Sequence, residues 1–141
     1  FMNEMANLSE LFGADIEAVR RGIGADPRIG YDFIYPGCGY GGACFPKDVS
    51  ALKASAQSAD YEPAILAAIE SVNETQKRKL GHSVQAFYSG DLRGRVIALW
   101  GLAFKSNTGD MRGAPSRTLM EHLWSAGATV VSDTWLSHPS T

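Results

Sequence analysis

The sequence predicts a mainly α-helical domain followed by the first part of an α/β domain with a parallel sheet. Residues 1–89 carry apolar side chains at steps of three and four, the spacing of amphipathic helices. Residues 90–141 contain a strand-like run, a helical pattern and a second strand-like run, which is the order of a βαβ unit. The change of pattern at Ser89-Gly90-Asp91 indicates a domain boundary near residue 90.

Two short helices are predicted at the start of the chain. The first ends at Gly13, because glycine suits the position just after a helix. The second begins after Asp15, whose carboxylate can accept from free N–H groups of the first turn, and Pro27 closes it. Their apolar faces are Met2, Met5, Leu8 and Phe12 in the first helix and Ile16, Val19 and Ile23 in the second.

A loop that is unusually rich in glycine and tyrosine follows, from Asp26 to Phe45. Pro46 suits the first turn of a third helix, because its missing N–H group would have no partner there in any case. We place this third helix over residues 47–59.

The longest periodic element runs over residues 63–87 and predicts a single long helix. Its apolar stripe has one polar interruption, Gln76. Such a stripe can form a subunit interface or the core side of a helix within one domain, and the pattern leaves both open. The stripe consists of Ile65, Ile69, Val72, Gln76, Leu80, Val84 and Phe87.

The second part of the chain begins with a compact apolar run at residues 95–100, which predicts a strand that ends at Gly101. A loop over residues 102–114 and an amphipathic helix over residues 116–126 follow. The apolar run at residues 129–131 predicts a second strand, parallel to the first because a helix connects the two.

Composition excludes several classes of function. The 141 residues contain 13 Lys+Arg and 15 Asp+Glu, for a net charge of -2, so the clustered positive charge of nucleic-acid binding is missing. No apolar run approaches the ~20 residues that cross a bilayer, and two cysteines predict neither a disulfide framework nor a zinc site. We therefore expect a soluble, cytoplasmic protein without a metal. The histidines, interpreted as structural or solvent-facing, are His82, His122 and His138.

Gly37, Gly39 and Gly42 satisfy the G-x-G-x-x-G pattern of dinucleotide-binding loops. That fingerprint requires a buried strand directly before it and a helix that opens from it. Here Pro36 precedes the glycines, and Cys44 and the residues after it intervene before any helix. We expect these glycines instead to let the backbone approach a ligand or to adopt positive φ in turns.

Cys44 directly precedes the third helix, where free N–H groups and the helix dipole favour an anion. Lys47 and Asp48 follow three and four residues later and can share its face of the first turn. These conditions favour the nucleophilic thiolate, although the alternative of a small buried hydrophobic residue stays open on spacing alone. Cys38 lacks such a setting, and we expect it to have a packing role.

Four stretches of the sequence resemble the UDP-glucose/GDP-mannose dehydrogenase family. The most specific is Gly39 to Asp48, which includes Cys44-Phe45-Pro46-Lys47-Asp48. In the family's order, the others are Asn3-Glu4 with Gly13-Ala14-Asp15-Ile16, then Asp26-Pro27-Arg28-Ile29-Gly30, and Gly101-Leu102-Ala103-Phe104-Lys105 with Asn107-Thr108 and Asp110-Met111-Arg112. The resemblance covers nearly the whole chain.

The resemblance implies a central dimerisation domain over residues 1–89 and the start of a Rossmann-like nucleotide-sugar-binding domain over residues 90–141. It implies oxidation of the C6 alcohol of a nucleotide sugar to a carboxylate in two hydride transfers to NAD, with UDP-glucose as the expected substrate. It also implies a homodimer formed through the long helix at residues 63–87.

The resemblance further implies roles for individual residues. Cys44 would attack the intermediate aldehyde to give a thiohemiacetal, whose oxidation leaves a thioester, and Asp48 would help water to hydrolyse the thioester. Lys47 and Arg112 would contact the cofactor, and Arg28 would reach the substrate of the neighbouring subunit. The other implied substrate contacts are Phe33, Ile34, Tyr35, Gly37, Tyr40, Gly41 and Lys105.

The chain departs from the commonest family pattern in the loop at residues 102–114. Ser106, Gly109 and Gly113 stand where Pro, Asp and Glu are frequent, and Thr134 replaces a Pro further on. Fewer prolines and more glycines widen the choices of the unfolded chain, so the sequence predicts a looser loop.

The resemblance implies parts that lie outside this sequence: an NAD-binding Rossmann domain and a catalytic Lys and Asn before Phe1, and most of the second domain after Thr141. The start at Phe1 within a helical pattern agrees with a piece of a longer chain, and we expect the piece alone to be inactive. The alternatives are a dehydrogenase of GDP-mannose or of an N-acetylated UDP-hexosamine, and a non-catalytic dimerisation fragment.

Overall fold

The computed structural model describes residues 1–133, and the sequence-based remarks on Thr134 and His138 lie outside these residues. The predicted order of elements is confirmed. The third helix begins at Phe45 rather than residue 47 and ends at Gln57 rather than residue 59. The elements are α1 (Met2–Phe12), α2 (Ile16–Gly24), α3 (Phe45–Gln57), α4 (Ala64–Phe87), β1 (Val96–Trp100), α5 (Pro115–Ser125) and β2 (Thr129–Asp133).

The ends of α1 and α2 follow the predicted capping chemistry. Gly13 ends α1 in the left-handed conformation with φ 67°, which glycine adopts without a steric cost. Asp15 caps α2, since its Oδ1 accepts from the backbone N–H group of Glu17 at 2.9 Å. Among residues 1–133, no helix combines the length and the apolar character that crossing a bilayer requires.

The buried side of α4 is polar, which the sequence pattern did not predict. The buried residues of this helix are Asn73, Gln76, Lys77 and Gly81. Most of the apolar stripe faces outward: Ile65 is 77% exposed and Phe87 is 81% exposed, and Ile69 and Leu80 are also exposed. The interpretation of the stripe as the core side of a single domain is therefore wrong for these four side chains.

The second part of the structure is the predicted βαβ unit. Strands β1 and β2 pair in parallel, from Val96 opposite Thr129 to Trp100 opposite Asp133. Helix α5 connects them and buries Leu119 and Leu123 in a small core. The core consists of Leu92, Leu119, Leu123 and Ala128, with Val84, Tyr88, Ile97, Leu99, Ala126 and Val130 packed against it.

Helix α5 also packs against α4 and so joins the two parts of the chain. The His82 and His122 rings meet edge to face with centroids 5.0 Å apart, and His122 Nε2 lies 3.0 Å from Gln85 Oε1. Gly81 makes room for this contact, because a Cβ atom there would lie 2.8 Å from the His122 ring. Sequence spacing did not predict this pairing, since the two histidines lie on different helices. The domain boundary near residue 90 stays a prediction.

Candidate active site

The thiol of Cys44 lies at the N-terminal end of α3, as the sequence predicts. Cys44 is a free cysteine and is exposed, so the alternative of a small buried hydrophobic residue is wrong. Its carbonyl accepts from the N–H group of Asp48 at 2.8 Å, which is the first hydrogen bond of the helix. No side chain caps the other free N–H groups of this turn, so they are available to an anion beside the thiol.

Two charged side chains follow Cys44 in the first turn of α3. Lys47 Nζ lies 3.4 Å from Asp48 Oδ1, and both side chains are exposed. An exposed ion pair of this kind contributes little to stability, so its charges are free to exchange partners with a ligand. A thiol, an ammonium and a carboxylate are therefore all exposed within about one turn of the chain.

Two glycines bring the Cys44 loop against the loop that follows β1. A Cβ atom at Gly41 would lie 2.3 Å from the carbonyl oxygen of Gly113, which side-chain rotation cannot relieve. Gly42 has φ 92°, and its N–H group donates to the Arg112 carbonyl at 2.7 Å. A Cβ atom at Gly42 would also meet the Phe104 ring at 2.8 Å. The two loops are thus in backbone contact just before Cys44.

This contact sets Arg112 near the thiol. The guanidinium donates to both carboxylate oxygens of Asp110, with Nε–Oδ1 at 3.0 Å and Nη2–Oδ2 at 2.7 Å. These hydrogen bonds hold the pKa of Asp110 below its usual value and are the largest cause of the raised pKa of Arg112. The Cys44 sulfur adds a smaller electrostatic contribution to the Arg112 pKa, so thiol and guanidinium lie within electrostatic reach of each other.

The substituted loop at residues 102–114 is held by hydrogen bonds in the folded protein. The Phe104 N–H group donates to the Asp110 carbonyl at 3.0 Å, and Ser116 Oγ donates to the Leu102 carbonyl at 2.5 Å. Gly113 has φ 59°, a conformation that favours glycine over the Glu frequent at this position. The predicted loosening concerns the freedom of the unfolded chain and stays a prediction.

On its other side, the Cys44 loop rests on two amide side chains of α4 that the sequence analysis missed as site residues. Asn73 exchanges two hydrogen bonds with the backbone of Tyr40, and Gln76 Nε2 donates to the Gly37 carbonyl at 2.7 Å. One signal in the sequence could have indicated this contact: Gln76 is an amide within an apolar stripe. A buried amide requires hydrogen-bond partners, so its position in the stripe indicates polar groups nearby.

The two tyrosines that the resemblance assigns to the substrate occupy different settings. The Tyr40 ring lies 5.7 Å from the Phe45 ring, and burial, followed by the negative charges of Glu70 and Glu74, raises the pKa of its hydroxyl. The Tyr35 ring is instead exposed, and the guanidinium of Arg20 lies over it, 4.4 Å from the ring centroid. A cation over an aromatic face is attractive, so this contact fixes the ring at the loop surface.

The remaining predicted site residues lie in the loops on either side of this centre. Arg28 is bound by Asp26 through Nε–Oδ1 at 3.0 Å, and Phe33 has φ 60° and is 96% exposed. Ile34 is half-buried, and Lys105 Nζ lies 5.5 Å from the centroid of the Phe104 ring. The structure brings Gly41, Lys47, Asp48 and Arg112 to the Cys44 loop, whereas the side chain of Arg28 pairs with Asp26.

The prediction of a packing role for Cys38 is wrong, because Cys38 is exposed. The segment around it is attached to the protein through backbone groups, the Gly37 carbonyl and both polar atoms of the Tyr40 backbone, rather than through side chains at position 38. Within residues 1–133, no group of three or more His, Cys, Asp or Glu side chains is placed to hold a metal ion.

A cleft of about 550 Å³ lies on another part of the surface, between α1 and α4. Neither Cys44 nor any other predicted site residue lines this cleft, and Gln76 is one of its lining residues. The lining residues are Asn7, Thr75, Gln76, Arg78, Lys79, His82, Ser83 and Ala86.

A helical domain with an exposed thiol at a helix N-terminus, followed by a parallel βαβ unit, agrees with one group of known proteins. Residues 1–75 match the sequence model of the UDP-glucose/GDP-mannose dehydrogenase family, central domain, and residues 98–138 match the model of the UDP binding domain of the same family. The chain belongs to this family.

Named relatives within the family are UDP-glucose dehydrogenases. The UDP-glucose 6-dehydrogenase of Pseudomonas aeruginosa is 55% identical over 130 residues, which are 92% of this chain and 29% of that protein. The structure of a UDP-glucose dehydrogenase from Pyrobaculum islandicum superposes with a TM-score of 0.87 at 37% identity, over 94% of this chain and 30% of that one.

A more distant relative has a different substrate in its name. A GDP-mannose dehydrogenase from Pseudomonas aeruginosa superposes with a TM-score of 0.64 at 33% identity, over 94% of this chain and 30% of that one. This chain therefore spans about 30% of the length of the relatives that it matches.

Proposed function

We propose that this chain is part of an NAD-dependent UDP-glucose 6-dehydrogenase that oxidises UDP-glucose to UDP-glucuronate. The observation that carries the proposal is the exposed Cys44 thiol at the N-terminal end of α3, with Lys47 and Asp48 in the next turn. The family membership supplies the reaction class, and the named relatives support UDP-glucose as the substrate.

Cys44 is the proposed nucleophile. The first oxidation of the C6 alcohol gives an aldehyde, and the thiolate adds to the aldehyde carbon to form a C–S bond, while the carbonyl oxygen takes a proton. The second oxidation removes hydride from that carbon and the proton from its hydroxyl group, which leaves a thioester on Cys44. The covalent bond retains the aldehyde on the enzyme between the two oxidations.

Asp48 is the proposed base for the last step. Its carboxylate is exposed one turn after Cys44, so a water molecule can lie between the two side chains. Water attacks the thioester carbon and transfers a proton to the carboxylate, and the C–S bond breaks to release UDP-glucuronate and regenerate the thiol. Lys47 Nζ lies 3.4 Å from Asp48 Oδ1 and can orient this carboxylate.

NAD, when bound, would accept one hydride in each of the two oxidations. Lys47 and Arg112 are the residues of this chain that would hold its diphosphate, since both are exposed cations, Lys47 in the first turn of α3 and Arg112 in the loop after β1. The glycines at residues 37–42 do not fit a dinucleotide fingerprint, because no strand precedes them and their backbone contacts α4 and the Arg112 loop.

The substrate is proposed to lie along the loop before Cys44. Backbone N–H groups of Gly39 and Gly41 can meet the diphosphate where glycine permits close approach. Arg28 is proposed to serve the substrate of a neighbouring subunit, since its side chain is 87% exposed and pairs with Asp26 rather than with the residues near Cys44. The other proposed substrate contacts are Phe33, Ile34, Tyr35, Tyr40 and Lys105.

The experiment that tests this function is an NADH assay of the full-length protein with a panel of nucleotide sugars. We expect UDP-glucose to give the highest kcat/KM and two NADH for each UDP-glucuronate. A higher kcat/KM for GDP-mannose or an N-acetylated UDP-hexosamine would mean that this nucleotide sugar, rather than UDP-glucose, is the substrate. Absence of NADH with every sugar would favour the alternative of a non-catalytic dimerisation fragment.

The long helix α4 is proposed to form a two-fold interface, because four apolar side chains of its stripe, Ile65, Ile69, Leu80 and Phe87, are exposed. We expect the chain to sediment as a dimer at micromolar concentration. Changing both Ile69 and Leu80 to Glu is expected to give a monomer with the same helical content, since charges are strongly unfavourable in an apolar interface. The matched control is Leu52→Glu, at an exposed position of α3. A stable, well-folded wild-type monomer at high concentration would contradict this proposal.

The 141-residue chain alone is expected to bind NAD weakly, with a dissociation constant well above the micromolar range. Its cations can meet the diphosphate, but its glycines lack the strand and helix context that binds a dinucleotide. Isothermal titration calorimetry of the isolated chain measures this directly. A micromolar dissociation constant would show that residues 37–42 have been assigned to the wrong ligand.

A further inference from the structure

Two buried amide side chains on α4 contact the loop that leads to Cys44. Asn73 is 6% exposed and Gln76 is 8% exposed, although amide side chains are mostly exposed in proteins. A buried amide without partners is costly, so each must satisfy its polar atoms inside the protein. Both do so largely on the backbone of residues 37–40.

Asn73 pairs with both polar groups of the Tyr40 backbone. Its Oδ1 accepts from the Tyr40 N–H group at 2.8 Å, and its Nδ2 donates to the Tyr40 carbonyl at 3.0 Å. Only an amide side chain offers a donor and an acceptor in this planar arrangement. Gly39 allows the loop to lie this close, because a Cβ atom there would be 3.0 Å from Asn73 Oδ1.

Gln76 holds the other end of the same segment. Its Nε2 donates to the Gly37 carbonyl at 2.7 Å, while its Oε1 accepts from Asn7 Nδ2 on α1 at 3.0 Å. Asn3, also on α1, accepts from the Gly37 N–H group at 2.7 Å. The backbone at Gly37 is therefore bound on both its N–H and its carbonyl side.

These contacts fix the loop from the side opposite to the Arg112 loop. Asn73 and Gln76 bind the backbone of residues 37–40, and the Arg112 carbonyl binds the N–H group of Gly42. Cys44 follows only two residues after Gly42. The path of the backbone into Cys44 is thus set by α4 on one side and by the β1–α5 loop on the other.

We propose that Asn73 and Gln76 are positioning residues for the dehydrogenase reaction: they hold the backbone of residues 37–40 in the conformation that receives the nucleotide sugar beside Cys44. This inference rests on the proposed function. Both residues act through the loop backbone, and neither is assigned a contact with substrate. The arrangement places the support of the substrate loop on the same helix as the exposed apolar stripe.

The test uses the full-length enzyme with the isosteric variants Asn73→Asp and Gln76→Glu, which each remove one donor to a loop carbonyl, and with Asn73→Ala. We expect the KM for UDP-glucose to rise about tenfold in each isosteric variant and further in Asn73→Ala, while the KM for NAD stays within about twofold. Hydrogen exchange at the Tyr40 amide is expected to accelerate at least about tenfold in Asn73→Ala, without matching acceleration in α3.

The matched control is Gln57→Glu, the same chemical change at an exposed residue that ends α3, and it is expected to leave both KM values unchanged. If Asn73→Ala does not fold, Asn73→Asp decides the question. A KM for UDP-glucose within about twofold of wild type in the folded Asn73 variants would overturn the inference while wild type still makes NADH. If wild type makes no NADH with any nucleotide sugar, the proposed function fails, and this inference fails with it.

Discussion

Replacing Cys44 by serine in the full-length enzyme is expected to lower NADH production from UDP-glucose by about a thousandfold or more. Serine fills the same space, but its hydroxyl needs an adjacent base to become a nucleophile. The first turn of α3 offers only the Asp48 carboxylate, which is paired with Lys47. Substrate binding should change little, so a titration with UDP-glucose under non-turnover conditions should give a dissociation constant near that of wild type.

The matched control for this change is Cys38→Ser, at the second exposed cysteine of the same loop. Cys38 precedes no helix, so its variant is expected to keep nearly wild-type turnover and stability. Steady-state NADH production by both variants is the measurement, with alkylation of wild type at neutral pH as a further comparison. Near wild-type turnover in Cys44→Ser with loss in Cys38→Ser would mean that the wrong cysteine has been assigned.

Replacing Gly41 by alanine is expected to lower turnover by about a hundredfold, the cost of moving reacting groups by about an ångström. The added methyl group would lie 2.3 Å from the Gly113 carbonyl oxygen, so the two loops must move apart. That movement strains or breaks the hydrogen bond between the Gly42 N–H group and the Arg112 carbonyl, and it displaces Arg112 from Cys44.

The control for Gly41→Ala is Gly109→Ala in the loop after β1. A Cβ atom added at Gly109 would meet no other atom within 4 Å, and the φ angle of Gly109 is not positive, so alanine fits there. The turnover of this control variant should stay within about twofold of wild type. Its stability should increase slightly, because alanine reduces the conformational freedom of the unfolded chain. Equal turnover in the two variants, measured as NADH production, would show that the contact between the loops is not needed for the reaction.

The sequence predicted the elements of the fold because their periodicity and caps act locally. Asp15 and Gly13 mark helix ends through their own backbone and side-chain geometry, α5 follows from a helical apolar pattern, and the two strands follow from compact apolar runs. The position of Cys44 at a helix N-terminus was also local information, carried by Pro46 in the first turn. Its exposure contradicts the alternative of a small buried hydrophobic residue, and its role as a nucleophile stays a prediction.

Long-range contacts could not be predicted from the sequence in this way. The bonds from Asn73 to Tyr40 join residues 33 positions apart, and the contact of His82 with His122 joins two different helices. The sequence predicted the apolar stripe of α4. Which face of this helix is buried depends on how α1, α3 and α5 pack against it, so the buried polar face was not predicted. Cys38 was assigned to packing because the sequence does not show that backbone bonds alone hold its segment.

Covalent catalysis by Cys44 predicts that the mass of the enzyme increases during turnover. The Asp48→Asn variant of the full-length protein should hydrolyse the thioester slowly, because amide oxygen is a poor base. With UDP-glucose and NAD present, intact-mass spectra should show one added UDP-glucuronyl group, and peptide mapping should place it on Cys44. An accumulated adduct on any other residue, or an unmodified Cys44 while Asp48→Asn retains wild-type turnover, would contradict the account.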